Sequence, residues 1–598
     1  MAKKKSKTDK IADTDLLQQL RDEYKSAEAL MNNYVDTWDK VYKSYMNKRD
    51  DIIVSVNGKS KITIPALFYI IETIVPRLAV KLLGAKPVFK VLGRTFEDMD
   101  NANLIEVLLD YQLEDINFNT KIISVIRDVL LYSVGFIKYF WDYDVYNGDD
   151  KPNFMVCSPK SIFIDPDATS IDDARYAIHK VYLSKAQIKK YIEKGVFNLI
   201  NSIDDIDNLQ DNKEKQETVI GLSTKIKGKY LFYEHWTPNK VYTYTEGKLV
   251  RNDDNPYGRI PIIDFKNYPL TDQFYNISDG AMILDLEEEL ITKRRQRLDN
   301  INFVLNTMWI LERGNDIDEE ELVSRSGGII HTNNKDALDP VKIPDVTMSS
   351  FNETNDLERE MQNISGATDY LRGISEHSRE TATSVQTLSA AGNMRFFVKL
   401  LSIYQSFSKI AKAFIDMDRK FMTKKRVLRI AGDFPIPSDK QGNPISPDDF
   451  KQATDAAGNI YTFFNLSKDS VTGMYDFIPL LSQNISSNLM GRGNMLLQLF
   501  GMLKDSNYIN QYNFVKKIFD VLQIEDTGNL LKTQKELAEE EKARQAALQQ
   551  YLAAQAAAGQ QPGAPQGQPQ QAQPQQAQPQ QAAPQGTPLP GATPQGEA

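Results

Sequence analysis

The run from Asp279 to Trp309, DGAMILDLEEELITKRRQRLDNINFVLNTMW, constrains this chain more than any other stretch. Ile283, Leu286, Leu290, Leu298, Ile301, Leu305 and Met308 recur at the three- and four-residue steps of one helical stripe. At 1.5 Å per residue such a helix spans roughly 45 Å, the width of a small domain. Its charges are sorted along its length. Asp285, Glu287, Glu288 and Glu289 come first, and Lys293, Arg294, Arg295 and Arg297 follow. Acids early and bases late suit the helix macrodipole, and Glu289 to Lys293 is a well-oriented i,i+4 pair. Taken alone, the run fits a core helix of an all-α protein. Its surroundings decide what it is for.

The chain has 598 residues, 41% of them hydrophobic and 25% charged. Most of it can therefore bury a core, as several domains or as one extended subunit. A single cysteine, Cys157, excludes an internal disulfide and a cysteine-rich zinc site. His179, His235, His331 and His377 are not spaced as a metal pair, so no cofactor is expected. The formal charge of −9 argues against static gripping of nucleic acid, which calls for a basic surface. The opening MAKKKSK is basic but leads into a polar helix, so it reads as a solvated tail rather than a secretory signal. The apolar stretches Ile62–Leu83 and Ile122–Trp141 carry Glu72, Arg77 and Lys81, and Arg127, Asp128 and Lys138. Charge at mid-membrane is costly, so both are expected to be buried elements of a protein outside the membrane.

In chain order, Asp13–Lys48 is expected as a helix with an aromatic-rich face including Tyr24, Tyr34, Trp38 and Tyr45. DIIVSVNGKSKITIP reads as a hairpin turning at Asn57-Gly58. Its GKS is not a phosphate loop, since the position five before Gly58 is Ile53. Helices are expected over Leu67–Leu83, Glu97–Glu114 and Asn119–Ser133, followed by a strand in GFIKYFWDYDV. Asp165, Asp167, Asp172 and Asp173 crowd a polar turn between strand-like segments. Laid on the EF-hand pattern, glycine would have to stand at Ser170 and glutamate at Tyr176, so an Asx-rich turn is the better reading. Leu199–Lys215 is a polar surface loop. KYLFYEHWTPNKVYTYTEGKLV is a hairpin-bearing sheet, and NPYGRIPIIDF adds an edge segment where proline is tolerated.

Past Trp309 the chain becomes short and turn-rich, with strands expected around Ile329 and Val341. A second helix returns over Ser349–Ile364, ended by Gly366. A polar loop, TDYLRGISEHSRE, leads to a long helix from Thr381 to Lys424 with Phe397, Leu401, Tyr404, Phe407, Ala411, Phe414 and Phe421 as its apolar face. Gly392 is a candidate kink. Between Arg379 and Arg429 stand eleven Lys/Arg against three acids. Strands are expected around Val427–Ile430, Ile460–Phe464 and Met474–Pro479, then helices over Ser487–Leu503, Tyr512–Leu522 and Gln534–Ala557. From Gly559 the Gln/Pro/Ala repeats are too polar to bury a core. The element order gives an α+β fold, mainly helical.

In this order the blocks LFYIIETIVPRLAVKLLG, VLLYSVGFIKYFWDYD, SPKSIFIDPDATSIDDARYAIHKVYLS, the Asp279 helix, and ISGATDYLRG followed by ETATSVQTLSAAGNMR form a set. The set resembles the portal protein of tailed double-stranded DNA bacteriophages over roughly residues 65 to 500. The resemblance implies a ring of about twelve subunits around an axial DNA tunnel at one capsid vertex. It implies a helical arm (1–50), a wing (51–278), stem helices (279–308 and 349–366), a clip (309–348) and a tunnel loop (367–380). A channel helix (381–424), wing return strands (425–484), a helical crown (485–557) and a disordered tail (558–598) would complete the subunit. Its partners would be double-stranded DNA that slides, the terminase large subunit, a tail adaptor or head-completion protein, and capsid or scaffolding protein. Its place would be the virion, after synthesis in the host cytoplasm.

On this reading Arg372, Glu376, His377 and Arg379 would meet DNA at the tunnel loop, and Arg313, Asp316, Glu319, Glu320 and Arg325 would face partners on the clip. The eight sorted stem charges would pair between subunits, because a closed ring shows one face of each subunit to the opposite face of the next. Two other functions stay open at this point. One is a nucleic-acid-processing enzyme using the Asp165–Asp173 carboxylates. The other is a different structural scaffold of the virion.

Overall fold

The computed structural model describes residues 7–48, 60–95, 98–143, 150–200, 229–306, most of 308–367, then 382–422, 426–431, 450–454, 460–466, 471–481 and 496–502, with isolated positions elsewhere. The chain divides into a unit of residues 1–509 and a second of residues 510–598, where only isolated positions are described. The hairpin at Asn57-Gly58, the tunnel loop, most of the crown and the tail lie outside the described residues.

Four helices open the first unit: α1 (Lys7–Tyr45), α2 (Ala66–Leu83), α3 (Met99–Asp115) and α4 (Phe118–Tyr132). The aromatic face expected on α1 packs inward, with Leu20, Ala27, Met31, Trp38 and Val41 buried. Trp38 meets Tyr132 of α4 edge to face. The two apolar stretches become α2 and the α4–strand block, and among the described residues no helix is long and apolar enough to cross a membrane.

The strands are antiparallel throughout. β1 (Phe89–Gly93) comes before α3; β2 (Val134–Asp142), β3 (Lys151–Cys157), β4 (Ile162–Ile164) and β5 (Ala177–Ser184) follow α4. α5 (Lys185–Glu193) starts on a capping box between Ser184 and Gln187. Then come β6 (Lys229–Trp236), β7 (Lys240–Tyr244), β8 (Leu249–Asp254) and β9 (Ile262–Lys266). One sheet has the order β3-β2-β9, and the proline-flanked β9 sits at its edge as expected. The other has the order β4-β5-β6-β7-β8. Lys138 of β2 reaches Glu234 of β6, joining the two sheets through an ion pair that also takes His179 Nδ1 at 3.4 Å.

Helix α6 (Asp279–Leu305) follows β9, then β10 (Trp309–Leu311) and β11 (Leu338–Pro340), which pair as a two-stranded ribbon. The expected strand near Ile329 is absent. Trp309–Leu311 takes that place, because α6 ends at Leu305, three residues before the expected Met308. Helix α7 (Thr347–Ser365) returns alongside α6 and stops at Gly366, whose φ of +75° only glycine adopts at no steric cost. Helix α8 runs unbroken from Ala382 to Phe421, through the expected kink at Gly392.

The last strands are β12 (Arg426–Ala431), β13 (Phe450–Thr454), β14 (Ile460–Leu466) and β15 (Tyr475–Pro479). β12, β14 and β13 form a three-stranded sheet, and β13 was not expected. β15 crosses most of the chain to pair with β1. The other edge of β1 meets carboxylates of α3: Glu106 accepts from Val91 N at 3.1 Å and Asp110 from Val88 N at 3.1 Å. One continuous core runs from α1 through α4, the β3-β2-β9 and β4-β5-β6-β7-β8 sheets and the start of α6 to α8.

The apolar face of α8 needs correcting. Phe407, Ala411 and Phe414 are buried as expected, but Phe397 and Leu401 are exposed. Phe396, Leu400 and Ile403 take the inward positions instead. Neighbouring apolar residues at 396–397 and 400–401 offer two stripes one residue apart, and only packing against the rest of the core chooses between them.

Candidate assembly surface on paired helices

Helix α6 is anchored at its start. Ser278 caps it, its side chain accepting from Ala281 N at 3.0 Å. Asp279 is fully buried, with Asn267 donating to one oxygen at 2.8 Å and Lys399 of α8 to the other at 2.6 Å. Lys399 is itself buried and lies over the rings of Tyr268 and Phe396. Sequence reading missed this pair. The signal was a lysine between Phe396 and Leu400 on what becomes the inward face of an amphipathic helix. A cation there is tolerated only when a buried acid meets it.

The eight sorted charges have different fates. Glu287 is fully buried and accepts hydrogen bonds from Ser44 of α1 and, at 2.9 Å, from Leu67 N of α2. The start of α2 lacks a side-chain cap, so Glu287 satisfies one of its free N–H groups. Arg295 is buried and donates to Ile62 O at 2.9 Å. Lys293 donates to Glu353 of α7 at 2.6 Å, and this hydrogen bond raises its pKa. The carboxylate that Lys293 takes thus comes from the next helix rather than from Glu289 one turn back. Glu287 and Arg295 are therefore committed inside the subunit, which corrects the expectation that all eight pair between subunits. The backbone donors and acceptors of residues 61–67 were unmet until this helix met them.

Asp285 and Glu289 are exposed, and Glu288 and Arg294 half-buried. Arg297 is 6% exposed and rests over the ring of Phe351. Burial, and next the charge of Arg294, push its pKa below the ordinary arginine value. Among the described residues, Arg294 Nε and Arg297 Nη1 are buried without a hydrogen-bond partner.

Below this level the pair of helices is open. Leu305 is 68% exposed, and Phe303, Met308, Ile310, Met348 and Phe351 are exposed with it. α7 is held against α6 by Lys293–Glu353, Arg297–Phe351 and Asn300–Pro344. The falling partner numbers make the two helices antiparallel. On the excursion beyond them, Arg313, Glu319 and Glu320 are exposed, while Asp316 and Arg325 lie outside the described residues. Asp318 caps the short turn by accepting from Glu320 N, and Glu321 pairs with His331. Arg372, Glu376, His377 and Arg379 lie outside the described residues, between the end of α7 and the start of α8.

Three bases of α8 are met by acids and carbonyls from other elements. Lys399 takes Asp279, Lys409 takes Asp172, and Arg419 donates to Val471 O and Gly473 O. The aspartate turn is an Asx turn, as expected. Arg175 bonds both oxygens of Asp165 at 2.6 Å and also Asp167. Asp173 accepts from the backbone and hydroxyl groups of Thr169 and Ser170. Burial acts to raise the Asp173 pKa, but these hydrogen bonds outweigh it and hold the carboxyl well below its ordinary value. Guanidinium, hydroxyl and backbone N–H groups thus take up the carboxylate oxygens of Asp165 and Asp173.

Comparison with known families gives one match that spans the molecule. A family model described as "Phage SU10 portal protein" matches residues 16–147 and 145–585.

Proposed function

The chain belongs to the phage SU10 portal protein family, and from that premise we propose that it is one subunit of a dodecameric ring at a single capsid vertex. DNA enters through the ring during packaging and leaves through it at ejection. The family is a structural, non-enzymatic one, so the subunit conducts DNA without chemistry of its own.

The observation that carries the reading is the antiparallel pair α6–α7, bracketing a small two-stranded excursion. It supports a stem that runs from wing to clip. The clip then offers Arg313, Glu319 and Glu320 to the terminase motor and afterwards to a tail adaptor. Arg372, Glu376, His377 and Arg379, which lie outside the described residues, would be the groups that meet DNA. DNA that must slide needs shallow electrostatic wells, because each tightly held phosphate adds a counterion-release gain that acts as a brake. A chain of net charge −9 in which Lys399, Lys409 and Arg419 of α8 are taken up internally suits that demand.

Electron microscopy of the purified full chain tests the ring: annular particles with a central hole are expected, and a monomer under all assembly conditions would refute it. For the tunnel, Arg372→Glu should leave rings intact and change packaged DNA length or retention. Unchanged packaging and infectivity would remove Arg372 from the tunnel wall.

A further inference from the structure

Arg294 and Arg297 stand where the covered part of α6 gives way to the open part. Above them Ile283, Glu287 and Leu290 are buried in the subunit, and below them Leu305 and Met308 are exposed. A guanidinium nitrogen that is buried and unbonded is costly, more so than a neutral amide. Burial, and after it the neighbouring charge of Arg294, disfavour the charged form of Arg297. Glu358 of α7 is near enough to act on Arg297 through its charge, yet among the described residues neither nitrogen has a hydrogen bond. Such a pair is half of a site.

The missing half is on the same helix. Asp285 precedes Arg294 by nine residues, about two and a half turns, so it points to the opposite side of α6. It is exposed, and so is Glu289 one turn further on. In a heterologous ring each copy of α6 shows one side to a neighbour and its other side to the next neighbour. We infer that the guanidinium groups of Arg294 and Arg297 receive the carboxylates of Asp285 and Glu289 from a second copy of this chain. The site is incomplete in one subunit and rests on the ring reading above. It fixes a register: adjacent copies of α6 are displaced by about 13 Å along the helix axis, the rise of those nine residues. The neighbour's upper stem then also covers the apolar stripe below Arg297.

Cross-linking reads that register directly. The one native cysteine, Cys157, is buried with its thiol pushed up to about 12, so it stays silent towards maleimides. A full-length Asp285→Cys/Arg294→Cys variant treated with a short bismaleimide should give a ladder of covalent oligomers. Either single-cysteine variant should give none. Separately, Arg294→Glu/Arg297→Glu should lose rings while keeping its monomer circular dichroism, and adding Asp285→Arg/Glu289→Arg should restore them. Rings by microscopy with no ladder, or a charge exchange that restores nothing, would overturn the pairing and leave the ring standing. Wild-type chain that never forms rings would overturn the ring reading itself.

Discussion

The upper and lower halves of α6 share one helix and one periodicity but do different work. From Asp279 to Leu290, and again at Arg295, the inward positions are met inside the chain: Asp279 by Lys399, Glu287 by Ser44 and Leu67 N, Arg295 by Ile62 O, Ile283 and Leu290 by the core. From Leu298 to Leu305 the same stripe runs on into exposure. The stripe of a helix therefore reports that something will cover it, not whether that cover is the same chain. In the upper half it is α1, α2, α4 and α8. In the lower half, among the described residues, α7 lies alongside and Ser60 N donates to Asp299 at 2.7 Å, while Phe303, Leu305 and Met308 stay exposed.

If this contrast holds, substitutions in the upper half cost stability and those in the lower half cost assembly. The largest effect should come from Lys399→Met, which strands the buried Asp279 charge. Urea unfolding should show a loss of about 3–5 kcal/mol, largely recovered when Asp279→Asn is added. A loss below 1 kcal/mol would mean water reaches the pair. Next, Gly280→Ala would place a Cβ 2.4 Å from Val41 Cγ1, where α6 crosses α1. Overpacking should cost about 1–3 kcal/mol, seen as a lower unfolding midpoint, despite alanine's better helix propensity.

A pH dependence sharpens the same side of the comparison. Asp128 lies on α4, which packs against α6, and burial raises its carboxyl from 3.8 to about 7. Between those values the native chain holds a proton that the unfolded chain releases. Stability from this group is therefore present below pH 4 and lost as pH climbs to about 7. Asp128→Asn should flatten that slope, gaining about 1–2 kcal/mol over wild type at pH 8 relative to pH 4, after allowance for its partial exposure. The smallest effect on stability belongs to the lower half. Leu305→Asp should move the monomer's unfolding free energy by no more than about 0.5 kcal/mol and yet abolish rings by microscopy. A monomer destabilised by several kcal/mol would show that Leu305 is covered within its own chain.

Much of the fold was legible locally. The boundaries of α2, α4 and α7, the strand after α4, the edge position of β9 and the Asx turn all follow from apolar spacing, proline and glycine placement, or clustered aspartates. These signals act within a few residues, where backbone sterics and side-chain hydrogen bonds operate. The pairing of β1 with β15 was not legible, because five residues beginning at Phe89 carry no mark of a partner at Tyr475–Pro479. The strand expected at Ile329 failed for a related reason: in a short turn-rich segment, pairing rather than propensity chooses which residues extend.

The candidate site divides in the same way. Sequence alone determined that α6 carries an apolar stripe and sorted charges, that α7 returns beside a small excursion, and that the ordered blocks resemble a portal subunit. Only the tertiary structure decided which charges were still available. Glu287 and Arg295 look like their neighbours in sequence, but unmet backbone groups of residues 61–67 lie within their reach. Lys399 looks like one base in a basic helix, yet it is sealed onto Asp279. A charge is spent where folding leaves a buried group in need of it, and that need is set by segments far away in the chain. What folding leaves unpaired at Arg294 and Arg297 is what a neighbouring copy can use.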